Sequence, residues 1–111
     1  MTPASPLLDR LEAGLGLASL RQRLLAQDAA NAETPGYRPL DAVAVADRSA
    51  PGGFRAMLVA SAATMRADGS GVDPDQTVVA LTENALWYQA MAGQAAAELA
   101  RFRTAVSEGR Q

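Results

Sequence analysis

The chain has 111 residues, which suffice for one small domain, and its net charge of −2 includes ten basic residues, all of them arginines spread singly along the sequence. This pattern excludes the basic patch of a nucleic-acid-binding protein, and the lack of cysteine and histidine excludes disulfides, thiol chemistry and the commonest metal ligands from this chain. Of the 49% hydrophobic residues nearly half are alanines, which favour helices but fill little core, so we expect slender helices that complete their burial against partners.

The first predicted element is an amphipathic helix over 5–32. Ser5 is a favourable N-cap and Pro6 suits the first helical position. Apolar residues and alanines then recur at alternating spacings of three and four, and Leu11, Leu15 and Leu25 are the bulky ones expected to pack. Pro35 disfavours helical geometry at Thr34, so the helix is expected to end before a type II turn over 34–37.

The second part, residues 33–72, is repeatedly interrupted by proline and glycine. Pro51-Gly52-Gly53 is such an interruption, and no hydrophobic period persists across it. Val43 and Val45 alternate with alanines, which leaves a short strand or helix open. We interpret this part as largely irregular.

The third part predicts a long helix over 73–107. Asp73 is an N-cap, Pro74 follows at the first helical position, and Asp75 adds an acidic residue to the first turn. A seam with strict three-four spacing then continues for four heptads. Its residues are Val78, Leu81, Ala85, Tyr88, Ala92, Ala95, Leu99, Phe102 and Val106.

These elements predict an all-α fold in a single unit spanning 1–111. The two terminal helices would form an antiparallel coiled-coil-like pair, since the middle segment is long enough for one helix to fold back along the other. Alanine occupies much of both seams, so the pair alone is expected to be marginally stable and to gain burial by assembly.

No constellation of catalytic residues is present, and we predict a protein that is not an enzyme. Asp73 and Asp75 are better explained as residues of a helix start than as an acid–base pair. Ser61 and Ser70 have no histidine to activate them. We therefore expect no cofactor, no metal and no small-molecule ligand. The first ten residues also lack the pattern of a secretory signal peptide.

Two stretches resemble the proximal rod family of the bacterial flagellum. Residues 31–38 read Asn-Ala-Glu-Thr-Pro-Gly-Tyr-Arg, which is similar to the signature that closes the first helix of flagellar rod and hook proteins. Residues 83–86 and 88–90 read Glu-Asn-Ala-Leu and Tyr-Gln-Ala, which resemble the C-terminal helix of the proximal rod subunit. The two stretches lie on separate predicted helices in the expected order. Asp28 departs from the family, which usually has asparagine there.

The resemblance implies a structural subunit of the flagellar basal body. Such a subunit assembles by helical packing of its terminal helices, connects the membrane ring to the distal rod, transmits torque and so serves motility. It would be exported by the flagellar type III apparatus without a cleaved signal peptide and would reside in the rod, in the periplasmic space. The implied partners are further copies of the chain, other rod subunits, the adaptor between ring and rod, and the export apparatus.

The candidate assembly residues fall into three groups. Thr34, Pro35, Gly36 and Tyr37 set the exit of the first helix. Asn31, Glu83, Asn84 and Gln89 are candidates for polar contacts that fix the register between neighbours, with an ordinary solvated helix surface as the equal alternative. Seam residues complete the set: Val78, Leu81, Tyr88, Leu99 and Phe102.

Two other functions remain open at this point. A small helical binding module, such as an export chaperone or adaptor, would bury the helix of a client in the alanine-lined seam. Another axial subunit of the rod or hook would share the first signature, although the Tyr-Gln-Ala ending favours the proximal type.

Overall fold

The computed structural model describes residues 5–68 and 71–109. Two helices, α1 (Pro6–Ala30) and α2 (Pro74–Gly109), enclose in sequence two strands, β1 (Leu40–Ala46) and β2 (Phe54–Ala60). A short turn at Pro51–Gly53 joins the strands. The molecule is elongated, with principal extents of 64 × 27 × 17 Å, because α2 alone has 36 residues. At about 1.5 Å per residue, this helix spans roughly 54 Å.

The starts of both helices follow the capping chemistry that the sequence predicts. Ser5 Oγ accepts a hydrogen bond from Leu8 N at 3.1 Å, with proline at the first helical position. Asp73 Oδ1 accepts from Asp75 N at 3.0 Å and from Gln76 N at 3.4 Å. The prediction of both N-caps is confirmed. Gly69 and Ser70, whose glycine-rich stretch interrupts the middle part, lie outside the described residues.

The predicted all-α class is wrong, because residues 40–60 form a β-hairpin. β1 and β2 pair antiparallel over seven residues, from Leu40 opposite Ala60 to Ala46 opposite Phe54. The turn is closed by a hydrogen bond from Gly53 N to Ala50 O at 3.0 Å, and Gly52 and Gly53 both have positive φ. Interpreting residues 33–72 as largely irregular therefore missed the sheet, in which alanine alternates with valine and hides the usual apolar period.

The two helices contact each other with their chain directions opposed. Ser5 Oγ donates to Glu98 Oε2 at 2.9 Å, and further along, Asn84 Nδ2 donates to Ala18 O at 2.7 Å. Between these points, Gly14 leaves room for Met91, since a Cβ at this glycine would lie 2.7 Å from the Met91 sulfur.

The coiled-coil seam predicted on α2 is also wrong as the packing surface between α1 and α2. Five of its nine residues are exposed, namely Val78, Tyr88, Leu99, Phe102 and Val106. The helix instead buries Thr77 and Asn84. Each of these residues directly precedes a residue of the predicted seam, so the buried face is rotated by about one residue from the seam. Because Thr77 and Asn84 are polar, this buried face is partly polar.

The core is small and lies where α1, β1 and the segment before α2 meet. Its buried apolar residues are Ala18, Leu24, Leu25, Ala42 and Val72. The hairpin is held to α1 at both ends. Arg21 Nε donates to Asp41 Oδ1 at 2.9 Å, and Gly52 approaches the start of α1 so closely that a Cβ there would lie 3.0 Å from Asp9 O. Neither helix in the described part of the chain is long and apolar enough to cross a membrane.

Candidate assembly surfaces

A groove between α1 and α2 brings together three of the predicted residues. It has a volume of about 310 Å³, and its lining comprises Ala18, Ser19, Gln22, Asn84, Ala85, Tyr88 and Gln89. The walls carry amides and hydroxyls but no charged side chain. Tyr88 and Gln89 are exposed at its rim, whereas Asn84 forms its buried floor.

Asn84 fixes the register of α2 on α1 within a single chain. Its side chain is 3% exposed, and Nδ2 donates both to Ala18 O at 2.7 Å and to Gln22 Oε1 at 2.8 Å. A buried amide without these acceptors would be costly, so sliding α2 along α1 by one turn would be penalised. The polar contact expected at Asn84 therefore exists, but it lies inside the chain.

The turn after α1 has the geometry that its sequence predicts. Tyr37 N donates to Thr34 O at 3.2 Å and Gly36 has φ of 76°, as a type II turn requires. Asn31 also acts locally: its Nδ2 donates to Gln27 O at 2.8 Å, and its Oδ1 accepts from Thr34 Oγ1 at 3.1 Å. The Asn31 side chain thus occupies the Gln27 carbonyl in the last turn of α1, while Pro35 is exposed at the surface.

A buried carboxylate behind this turn escaped the sequence analysis. Asp28 is fully buried and accepts hydrogen bonds from Thr64 Oγ1 at 3.1 Å, from Tyr37 Oη at 3.4 Å and from the backbone of Leu40. Ser61 Oγ lies 2.9 Å from Thr64 Oγ1 and extends the network. We call Asp28, Tyr37, Ser61 and Thr64 the Asp28 cluster. It ties the end of α1 to the turn and to the segment that leads into α2.

Burial dominates the electrostatics of the Asp28 cluster. It raises the pKa of Asp28 above its ordinary value, although the hydrogen bonds from Thr64, Tyr37 and Leu40 act in the opposite direction. The nearby Asp41 carboxylate raises the pKa of Asp28 further. Burial and the Asp28 charge also raise the pKa of Tyr37.

The far end of α2 extends beyond its contact with α1. Ser5, the N-cap of α1 and the first described residue, contacts Glu98, and Arg101 and Phe102 line a groove with Ser5 and Pro6. Every residue from 99 to 109 is nevertheless exposed. We call residues 99–109 the α2 extension. Leu99, Phe102 and Val106 are 41%, 40% and 45% exposed and follow one another at spacings of three and four. They lie on one stripe of the helix, as expected of residues that pack against another helix.

The side of α2 that faces away from α1 is also apolar. Val79 and Leu86 are 51% and 60% exposed, and the neighbouring Trp87 is 65% exposed. Along the same side lie the small residues Ala90, Gly93 and Ala97, all exposed. Val78 on the adjacent flank is 60% exposed, and Glu83 is an exposed charged residue at the edge of this side.

The structure thus places the predicted residues in three separate locations. Asn84, Tyr88 and Gln89 lie at the groove, residues 31–37 lie at the exit of α1, and Leu99 and Phe102 lie on the α2 extension. Val78, Leu81 and Glu83 belong to none of these locations: Val78 and Glu83 are exposed, and Leu81 is half-buried. The hydrophobic period of the sequence cannot indicate Asp28 or Thr64, because both are polar. The signal that could have pointed to this region is the neighbouring Pro35-Gly36 turn.

Glu98 is a further residue that the sequence analysis missed. The hydrogen bond from Ser5, together with Arg101 at 3.1 Å, lowers the pKa of the Glu98 carboxyl. Among the described residues, no group of three metal-ligating side chains is close enough to hold a metal ion.

The function of these surfaces is argued from the chemistry of their residues. No protein-family model matches the chain, and no curated protein matches its sequence.

Proposed function

We propose that this chain is a structural subunit of the bacterial flagellar rod that assembles with copies of itself and with neighbouring rod subunits through its helices. The proposal assigns no catalysis to the chain. The folded chain supplies an antiparallel pair of helices, and the subunit contacts form on surfaces that its described residues leave exposed.

The α2 extension is the observation that carries this proposal. Its stripe of Leu99, Phe102 and Val106 has the spacing of a helix–helix seam. Phe102 borders Ser5 and Pro6 at the start of α1, yet all three residues of the stripe are at least 40% exposed. Covering these three large apolar residues with a second helix would stabilise the assembly by about 25 cal/mol for each Å² of apolar surface removed from water. A neighbouring subunit can provide that helix.

The resemblance of residues 31–38 and 83–90 to the proximal rod family supports the same reading. The first stretch forms the exit of α1, and the second includes the floor and rim of the interhelical groove. Both stretches therefore occupy positions that determine the shape of the helical pair. In an assembly built from such pairs, errors in this shape would propagate from subunit to subunit.

Sedimentation velocity tests the proposal with purified chain over a wide concentration range. We expect large, open-ended assemblies for the wild type and loss of assembly for Phe102→Ser, since this substitution removes the middle of the stripe. The matched control is Arg103→Ser, which changes the adjacent exposed residue outside the stripe. Equal assembly of Phe102→Ser and wild type would count against the α2 extension as the contact.

The alternative is a helical binding module, and the interhelical groove favours it. A groove of about 310 Å³ with uncharged polar walls could accept side chains of one client helix. This function predicts a saturable complex of fixed stoichiometry with a single client and no polymer. Substitution of the exposed Gln89 would weaken that complex, whereas Phe102→Ser would leave it unchanged.

A further inference from the structure

The hydrogen-bonding pattern of the hairpin determines which backbone groups of its strands face outward. Asp47 N donates to Gly53 O at 3.0 Å and Ser61 N donates to Pro39 O at 3.0 Å, so the odd-numbered residues form the hydrogen-bonded pairs of the ladder. The backbone N–H and C=O groups of the even-numbered residues in each strand therefore point away from the partner strand. On β2 these residues are Phe54, Ala56, Leu58 and Ala60.

The outer edge of β1 is protected by carboxylates and by α1. Leu40 N donates to the buried Asp28 carboxylate, and Ala42 N donates to Asp41 Oδ1 at 2.7 Å. Ala42 is also fully buried. No second strand can reach this part of β1, because its first two outward N–H groups are occupied and α1 lies alongside.

The outer edge of β2 has no such protection within the described residues. Its seven residues follow one continuous register without a bulge, and it contains no proline and a single charged residue, Arg55. Leu58 is 55% exposed and Met57 is 43% exposed. A regular, apolar edge with free N–H and C=O groups is the surface to which another strand adds.

We propose that β2 pairs antiparallel with β2 of a second copy of this chain, which produces a four-stranded intermolecular sheet in the order β1–β2–β2–β1. The contact is a twofold one centred on Met57, so Ala56 lies opposite Leu58 of the second copy and Phe54 lies opposite Ala60. This register overlaps all seven residues of each strand. Every outward N–H group of β2 then meets an outward C=O group of the second copy.

The charges of the hairpin are compatible with this register. Arg55 lies opposite Val59 of the second copy, which keeps the two arginines four residues apart. One strand further on the same face lies Asp41 of the second copy, because Asp41 pairs with Val59 within each hairpin. Asp41 is already paired with Arg21, and Arg55 with Asp47, within each copy, so this register brings neither like charges nor an unpaired charge together.

Disulfide trapping tests the register, since the chain has no cysteine of its own. Met57→Cys places two thiols across the twofold axis at a non-hydrogen-bonded pair, where Cα atoms are about 4.5 Å apart and a disulfide fits. We expect rapid covalent dimerisation under mild oxidation. Val43→Cys, on the adjacent β1 position, is the matched control: its thiols would be about three strand spacings, or roughly 14 Å, apart. Equal cross-linking of the two variants would overturn the proposal.

Two substitutions at Leu58 test the backbone contact. Leu58→Pro removes an outward N–H group from each copy while the ladder to β1 stays intact, because Leu58 does not donate to β1. Leu58→Ala removes a comparable apolar side chain but keeps the N–H group. We expect Leu58→Pro to weaken dimerisation at least about tenfold relative to Leu58→Ala, measured by sedimentation equilibrium. Ala56→Pro provides a second test should Leu58→Pro lose its circular dichroism signal.

This contact is independent of the proposed rod assembly, since it uses the hairpin and leaves the α2 extension free. A Phe102→Ser chain, in which helical assembly is prevented and β2 is unchanged, overturns the proposal if it stays monomeric. A dimer that persists equally in Leu58→Pro and Ala56→Pro also overturns it. Either result leaves the rod proposal in place, whereas a Met57→Cys dimer of Phe102→Ser supports the strand pairing alone.

Discussion

Replacement of Asn84 by alanine tests whether a polar contact fixes the register of the two helices. The substitution removes the hydrogen bonds from Nδ2 to Ala18 O and to Gln22 Oε1. Each intramolecular hydrogen bond contributes about 1 kcal/mol net, so the two contribute roughly 2 kcal/mol. Alanine recovers about 0.5 kcal/mol through its higher helix propensity. We expect a net loss of about 1.5 kcal/mol in the free energy of unfolding.

Urea denaturation followed by far-UV circular dichroism measures this loss. For a domain of this size it corresponds to a decrease in Tm of about 5–10 °C. The matched control is Gln89→Ala, which changes an exposed residue of the same groove on the same helix. Because glutamine already favours helices, this change gains less helix propensity than Asn84→Ala. We expect the control to alter stability by no more than about 0.5 kcal/mol. The reasoning is refuted if Asn84→Ala is as stable as Gln89→Ala.

Three further predictions concern other parts of the fold. Gly52→Ala should lower the free energy of unfolding by about 2–4 kcal/mol, because φ is 80° and the new Cβ would lie 2.8 Å from that of Ala13. The control Gly53→Ala, with φ of 85° in open space, should lower it by only about 1–2 kcal/mol in the same urea titration. Equal losses in the two variants would contradict the close contact at Gly52. Because burial raises the pKa of Asp28, the folded wild-type chain should lose stability as pH rises from about 4 through the pKa of Asp28 in the folded state. Tm measured between pH 4 and 8 should fall less in Asp28→Asn than in the wild type. Parallel curves of Tm against pH for the two proteins would contradict this prediction. Gly36→Val should hinder assembly measured by sedimentation, because a β-branched residue resists the φ of 76° in the turn. Pro35→Ala should have a milder effect on assembly. Normal assembly of Gly36→Val would show that the turn is not needed for assembly.

The helix termini and the turn could be predicted from the sequence because their signals are local. Ser5-Pro6 and Asp73-Pro74 place a capping side chain beside a proline that needs no N–H partner, and Gly36 satisfies a turn that requires positive φ. Such signals depend on a few neighbouring residues, so tertiary packing does not override them.

The composition of the hairpin explains why its hydrophobic pattern does not predict it. Alanine alternates with valine in β1, and Ala42 is buried while the bulkier Val43 is exposed, so the hydrophobic period does not follow burial. In the sequence, the glycines of Pro51–Gly53 indicate an interruption. They also form the short connection of an antiparallel pair, which two seven-residue runs on either side could have suggested.

The contact face of α2 could not be found from apolar spacing, because its buried residues are polar. Thr77 and Asn84 are buried against the rest of the chain, whereas Tyr88 and Phe102 on the regular apolar seam are exposed. The same limit applies to Asp28, whose partners Tyr37 and Thr64 come from two different segments. Only the folded structure brings such groups together.

Fractionation of the parent cell tests the central claim most directly. Basal bodies purified from flagellated cells would be probed for this chain with an antibody, alongside the soluble fraction. We expect the chain to co-purify with the rod and Phe102→Ser to shift it to the soluble fraction. Recovery of the wild-type chain only in the soluble fraction, in a complex of fixed stoichiometry with one other protein, would contradict the rod proposal and favour the binding module.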